Sequence, residues 1–140
     1  MVSFRLEVKV KLLTRDTDYA IRALSSMGSS GELVTADDLV KKTGVPKPFL
    51  RKILQILGKK GFVKSYKGIG GGFRLSLPGN SIKLVDVMEI FQGPLKLNEC
   101  FFKKMVCPNR ATCPLKKKVD KIEKYVVSQL EAITIGSLSA

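Results

Sequence analysis

Three cysteines, Cys100, Cys107 and Cys113, stand within fourteen residues in a C-x6-C-x5-C pattern, and two of them precede a proline (Cys107-Pro108, Cys113-Pro114). Pro114 suits the first turn of a helix, which puts Cys113 at a helix N-terminus, where the thiolate is favoured. Lys103, Lys104, Arg110 and Lys116 push the same way. Thiolate is the metal-binding form, and three thiolates in one loop suit an iron–sulfur cluster, or a zinc ion with a fourth ligand from elsewhere. Spacing alone leaves a third option open, three thiols without metal. The chain contains no histidine, which removes Ser-His and Cys-His nucleophile pairs and the HExxH metalloprotease site. No acid–base pair stands beside the cysteine loop and no substrate-cleft signal accompanies it. The chain is therefore expected not to be an enzyme, and a small metalloenzyme or electron carrier is the rival from another class.

The charge balance points to a partner. Lys and Arg number 25 against 12 Asp and Glu, a formal charge of +13 on 140 residues. Such an excess suits a polyanion, nucleic acid first and an anionic membrane surface second. It is also unevenly placed. No acidic residue falls between Leu39 and Val85, while Lys41, Lys42, Lys47, Arg51, Lys52, Lys59, Lys60, Lys64, Lys67, Arg74 and Lys83 do. A one-sign segment of this length suggests a phosphate-facing surface, the bland alternative being a solubilising face. No stretch approaches the ~18 apolar residues of a membrane span. The alternating N-terminus lacks the apolar centre of a secretory signal, and an odd cysteine count argues against a disulfide framework, so a reducing cytoplasm is the expected setting.

The elements that must position these residues follow from periodicity and caps. Phe4, Leu6, Val8, Val10 and Leu12 alternate as in an extended strand, and residues 1–11 are treated as an N-terminal extension or tag. Thr14 or Asp16 can cap a first helix through Tyr19, Ala20, Ile21, Ala23, Leu24 and Met27, ending near Gly28, with Ser29-Ser30-Gly31 as a loop. Leu33-Val34 suits a one-rung strand, and Thr35 caps a short second helix, with Leu39 and Val40 inward, that Gly44 closes. A third helix, Lys47 to about Lys60, carries Phe49, Leu50, Ile53, Leu54 and Leu57 on one face and Lys47, Arg51, Lys52, Gln55 and Lys59 on the other. Short helix, glycine turn and basic amphipathic helix form a helix-turn-helix signature. Two strands, 62–66 and 73–77, flank the glycine-rich loop 67–72 and make a basic-tipped wing. A phosphate-cradling nucleotide loop is the rival here, but no Gly-Lys-Ser/Thr follows and the loop leads into a strand. A fourth helix, about Lys83 to Gln92, buries Leu84, Val85, Met88 and Phe91 before Gly93-Pro94.

Beyond the cysteines, Leu115, Val119, Ile122, Val126, Leu130 and Ile133 recur at gaps of 4, 3, 4, 4 and 3, close to a coiled-coil seam. The seam predicts packing against a second copy of the chain, with packing onto its own head as the alternative. The expected fold is mainly α with a small β-wing: a winged helix-turn-helix head over 12–97, a cysteine cluster loop over 98–113, and a long C-terminal dimerisation helix and tail over 114–140.

Taken together, these segments resemble the Rrf-two superfamily of bacterial winged-helix regulators, whose cluster-binding members include IscR-like and NsrR-like repressors. The matching pieces are Leu13-Thr14, the Thr17–Leu24 segment, Phe49–Leu54, Gly61–Ser65 with Gly70–Leu75, Phe91–Leu95, the three cysteines and Thr134-Ile135-Gly136. The resemblance implies a cytoplasmic homodimer on double-stranded DNA at a palindromic operator, third helix in the major groove and wing in the minor groove. By position, Lys47, Pro48, Arg51 and Gln55 lie where the family reads bases, with Lys52 on the same face. Lys67, Gly68, Ile69 and Gly70 form the tip that reaches the minor groove. Where other members often carry Glu or Gln this chain has Arg51, whose guanidinium favours guanine O6 and N7. The resemblance also implies a cluster that sets DNA affinity in response to nitric oxide, redox or iron status. IscR-like proteins use a His shortly after the third Cys, a position held here by Lys116. NsrR-like proteins use the Asp of a Thr-Asp-Tyr segment, present here as Thr17-Asp18-Tyr19. That ligand pattern favours 4Fe-4S over 2Fe-2S, held by Cys100, Cys107, Cys113 and the partner subunit's Asp18. In the alternative, Asp18 merely complements the helix dipole, and the thiols serve a cluster-free redox regulator.

Overall fold

Helix α1, Arg15–Gly28, starts where the sequence offers a threonine: Thr17 N–H donates to Thr14 Oγ1 at 3.3 Å, and Asp16 and Asp18 occupy its positively polarised first turn. A computed structural model describes residues 12–28, 31–95 and 114–138. Residues 1–11, for which an extended strand is expected, Ser29 and Ser30, the three cysteines and the last two residues of the tail lie outside them. In α1 the residues Thr17, Ala20, Ala23, Leu24 and Met27 are buried, and the small Ala20 and Ala23 let neighbours approach closely. The helix packs against α2 (Ala36–Thr43), α3 (Lys47–Lys59), α4 (Leu84–Gln92) and α6 (Ile135–Leu138).

The helix-turn-helix closes through local caps. Thr35 Oγ1 accepts from Asp38 N–H at 3.1 Å, and Gly44, at φ 72°, ends α2 by donating to Val40 O. Helix α3 ends in a full Schellman motif: Phe62 N–H bonds Leu57 O, Gly61 N–H bonds Gly58 O, and Gly61 takes φ 85°. Leu50, Ile53, Leu54 and Leu57 are buried, but Phe49 is 38% exposed. It lies about 90° from the centre of that apolar stripe at 100° per residue, so it borders the core instead of filling it.

The wing is an antiparallel pair, β1 (Val63–Tyr66) and β2 (Gly72–Leu75), with Val63 opposite Leu75 and Tyr66 opposite Gly72. Val34 adds the single outer rung through two bonds to Phe73. Gly72 belongs to the strand through its pairing with Tyr66, and a Cβ there would stand 2.7 Å from Val34 O.

Helix α4 meets α1 on one side and α5 (Pro114–Glu131) on the other. Val87 is fully buried in the head's main core, while Val85 is half-buried at the edge of the cluster that Leu84 and Met88 form with Leu130, the reverse of the expected weighting.

The C-terminal seam divides. Leu130 joins Leu84 and Met88 in a second apolar cluster, with Val126, Ile133, Leu13, Ile21, Val85 and Leu95 around it. Helix α5 ends at Glu131, so Ile133 lies beyond it, in the turn to α6. Val126, Leu130 and Ile133 therefore pack on this chain's own head, correcting the expectation of one seam facing a partner. Nor is the tail a separate unit. Ile135 N–H donates to Ile82 O, Leu84 N–H donates to Ile133 O, and Ile135 is buried in the head's main core. Thr134 and Ser137 cap α6 reciprocally, each backbone N–H bonding the other's hydroxyl at 3.1 Å.

Because Ile135 completes the head, Ile135→Ala is expected to cost about 2–5 kcal/mol. Urea unfolding followed by circular dichroism checks this, and an unchanged midpoint would mean that the tail does not hold the head.

Candidate nucleic-acid interface

The acid-free segment faces outward. Lys41, Lys42, Arg51, Lys52, Lys59, Lys60, Lys64, Lys67, Arg74 and Lys83 are exposed, and Lys47 is half-buried. The reason lies in α3, whose apolar stripe is used up against α1 and α2, leaving Pro48, Arg51, Lys52, Gln55 and Lys59 on the opposite side. An open groove separates this helix from the wing, with Gln55 and Lys59 on one bank and Lys64, Ser65 and Tyr66 on the other.

At the wing tip, Gly68 and Gly70 take φ 93° and 79°, and a Cβ on Gly71 would strike Tyr66 O. Those backbone turns lift Ile69 clear of the protein, with a relative exposure of 109%. Lys67, Gly68, Ile69 and Gly70 are all exposed there.

Lys47 behaves differently. Its Nζ lies 2.7 Å from Asp37 Oδ1, so the first residue of α3 is ion-paired to the first turn of α2. The hydrogen bond from Lys47 and its charge hold the Asp37 carboxyl below the usual carboxylate range, with Arg51 and Lys41 adding to the effect. A depressed carboxylate of this kind contributes stability above its unfolded pKa, which is lost as pH falls through the folded value. Asp37 was not among the expected site residues. Its signal in the sequence is slight, an acid ten residues before its partner and shortly ahead of the acid-free run.

The neighbouring end of α1 contributes aromatic contacts. The Arg15 guanidinium stands 4.7 Å from the Phe49 ring centre, and Tyr19 meets Phe49 at 6.3 Å between centroids with a 54° tilt. Asp18 is on the same helix, partly exposed, with its carboxylate 3.0 Å from Arg22 Nε, one turn on. Behind Asp18 lies a polar knot. Gln92 Oε1 accepts from Thr14 N–H at 3.0 Å and from the buried Thr17 hydroxyl at 2.8 Å, while Gln92 Nε2 donates to Leu12 O. Thus the end of α4, just before the cysteine loop, is tied to the turn that carries Asp18. The sequence marks Gln92 only as part of the Phe91–Leu95 match.

Cys100, Cys107 and Cys113 lie outside the described residues, and among those residues no three His, Cys, Asp or Glu side chains gather as a metal site. On α5, Leu115 and Ile122 are 66% and 55% exposed, Tyr125 is exposed beside them, and Val119 is half-buried. Within the described residues no helix is long and apolar enough to cross a membrane.

The model of a known family, Rrf2, described as an iron-dependent transcriptional regulator, matches residues 13–140. The chain is 34% identical over 128 residues to Protein aau3 of Rhizobium meliloti (strain 1021), spanning 90% of this chain and 83% of that one. Among solved structures it is similar to T. potens IscR, with TM-score 0.71, 22% identity and coverage of 93% and 86% of the two chains. It is also similar to CymR (YrzC), the global cysteine regulator of B. subtilis, with TM-score 0.78, 18% identity and coverage of 93% and 97%. At those identities the two structural likenesses bear on the fold, a mainly helical winged helix. The family match over nearly the whole chain and the one-third identity to a relative carry the assignment: this chain belongs to the Rrf2 family of transcriptional regulators.

Proposed function

We propose that the chain is a homodimeric DNA-binding repressor whose hold on a palindromic operator is set by an iron–sulfur cluster. Rrf2 regulators bind DNA, and the observation that carries the reading in this chain is the exposed acid-free surface shared by α3 and the wing. Its cations release counterions from a duplex on binding. Arg51 has the planar fork suited to guanine O6 and N7, and Gln55 suits adenine N6 and N7. Lys67 serves the minor groove at the wing tip, where Ile69 is available as an apolar wedge.

A dimer is supported by the part of α5 that the head leaves uncovered. Leu115, Ile122 and Tyr125 expose large apolar surfaces along one helix, with Val119 beside them. Pairing two such helices holds two heads together, and reading half-sites one turn apart needs about 34–36 Å between the two α3 helices.

The donor set fits a cluster. Three thiols are soft ligands of the kind iron–sulfur centres use, and Asp18 offers an accessible carboxylate whose ion-pair partner is the exposed Arg22 rather than a buried group. In this reading Cys100, Cys107, Cys113 and the partner subunit's Asp18 hold a 4Fe-4S centre. A bound cluster supplies iron–ligand bonds that nitric oxide, oxidants or iron depletion break. The chain's own residues then carry the consequence. Asp18 is adjacent to Thr17, which Gln92 fixes to the end of α4, and Arg15 and Tyr19 of the same helix end touch Phe49 of α3. A coupling of 1–3 kcal/mol through such contacts corresponds to roughly a 5–150-fold change in DNA affinity. In the cluster-free thiol reading, the DNA-binding surface is unchanged and the three cysteines respond by oxidation.

Three measurements test these assignments. Anaerobically purified protein is expected to hold iron and sulfide with visible absorption, and Asp18→Ala to lose much of both; protein free of iron and sulfide supports the thiol reading. Arg51→Ala is expected to cost about 1–3 kcal/mol on a selected operator, and Lys67→Ala to lower the salt slope of binding by about one, with unchanged titrations counting against both assignments. Ile122→Asp is expected to convert a dimer to monomer in sedimentation; a variant that still sediments as a dimer removes α5 as the interface.

A further inference from the structure

The acid-free surface is met at its edge by Asp37, and the placement of that residue is specific. Asp37 lies in the first turn of α2, where the helix dipole favours a carboxylate, and its Oδ1 is 2.7 Å from Lys47 Nζ at the start of α3. Arg51, one turn along α3, and Lys41, one turn along α2, also act on that carboxylate. Lys47 is half-buried, whereas Arg51, Lys52 and Gln55 on the same helix are exposed. One cation of the surface is thus already neutralised before DNA arrives.

The geometry points to Asp37 as a specificity-determining residue: by pinning Lys47 it withholds one positive charge from phosphate and leaves recognition to Arg51, Gln55 and the wing. This rests on the DNA-binding reading of the α3 surface. Lysine is a point charge on a flexible stem, so a free Lys47 reaches phosphates in many registers of a duplex. Such contacts strengthen binding to any sequence, because phosphates carry no sequence information. Pinned by Asp37, Lys47 cannot supply them. It follows that Lys47, although it lies where the family reads bases, contributes little to either mode while Asp37 is present.

The test titrates the full chain with a short random-sequence duplex and with a duplex selected for tight binding, over a range of salt. Asp37→Asn is expected to bind the random duplex several-fold tighter, with a log–log salt slope steeper by about 0.9, the signature of one more phosphate neutralised. The ratio of selected to random affinity is expected to fall. Lys47→Gln alone leaves Asp37 unneutralised and is expected to weaken binding. The double variant D37N/K47Q, which removes the pair together, is expected to return to wild-type affinity and slope. Asp37→Asn indistinguishable from wild type, an unchanged affinity ratio, or a double variant as weak as Lys47→Gln overturns the proposal; the last would place Lys47 on phosphate in the complex. Both side chains lie at the surface, and matching thermal melts establish that the variants fold, with Asp37→Ser as a second neutral replacement. Wild-type protein that binds neither duplex at low salt overturns the DNA-binding reading itself.

Discussion

Helix α1 packs against four other helices, and the rest of the head takes its geometry from that confinement. Ala20, Ala23 and Leu24 are fully buried, so α2, α3, α4 and α6 close around a helix whose inner face has no exposed side chain left to adapt. Close-packed interiors transmit displacement rather than absorb it. The same helix carries Asp18 near its start and, through Arg15 and Tyr19, touches Phe49 on the reading helix. Nothing placed at the first turn of α1 can move far without α3 or the Gln92 knot responding.

Electrostatics works on a different scale. The cations between residues 41 and 83 are almost all exposed, so they act as a field rather than as individual bonds. Exceptions are informative because they are few. Asp37 holds Lys47 and Asp18 holds Arg22, each an ion pair at the surface, where such pairs typically contribute 0–1 kcal/mol. Their weight in stability is small, so what they set is where a charge is held rather than how firmly the head folds.

Local rules made much of the head legible. Thr35, Gly44 and Gly61 cap where a short-range argument puts them, the Leu50–Leu57 stripe is buried, and the glycine-rich loop turns between paired strands. What escaped depended on contacts far apart along the chain. Phe49 sits at the margin of its stripe, and only the position of Tyr19 and Arg15 decides its surroundings. Val87 is buried because it joins the main core of the head, which periodicity within α4 does not reveal. The pairing of Asp37 with Lys47 spans the helix-turn-helix corner, and the bonds of Gln92 span some seventy-five residues to Thr17. The apolar spacing along α5 looks uniform, yet the head claims one end of it and leaves the other uncovered.

The insertion of Ile135 beside Ile82 has a consequence for biogenesis. A ribosome makes α3 and the wing first and this isoleucine only after the whole of α5. The core beneath the reading surface stays one large side chain short until then. A nascent chain therefore closes the core of its head late, only once the whole of its long helix has been made.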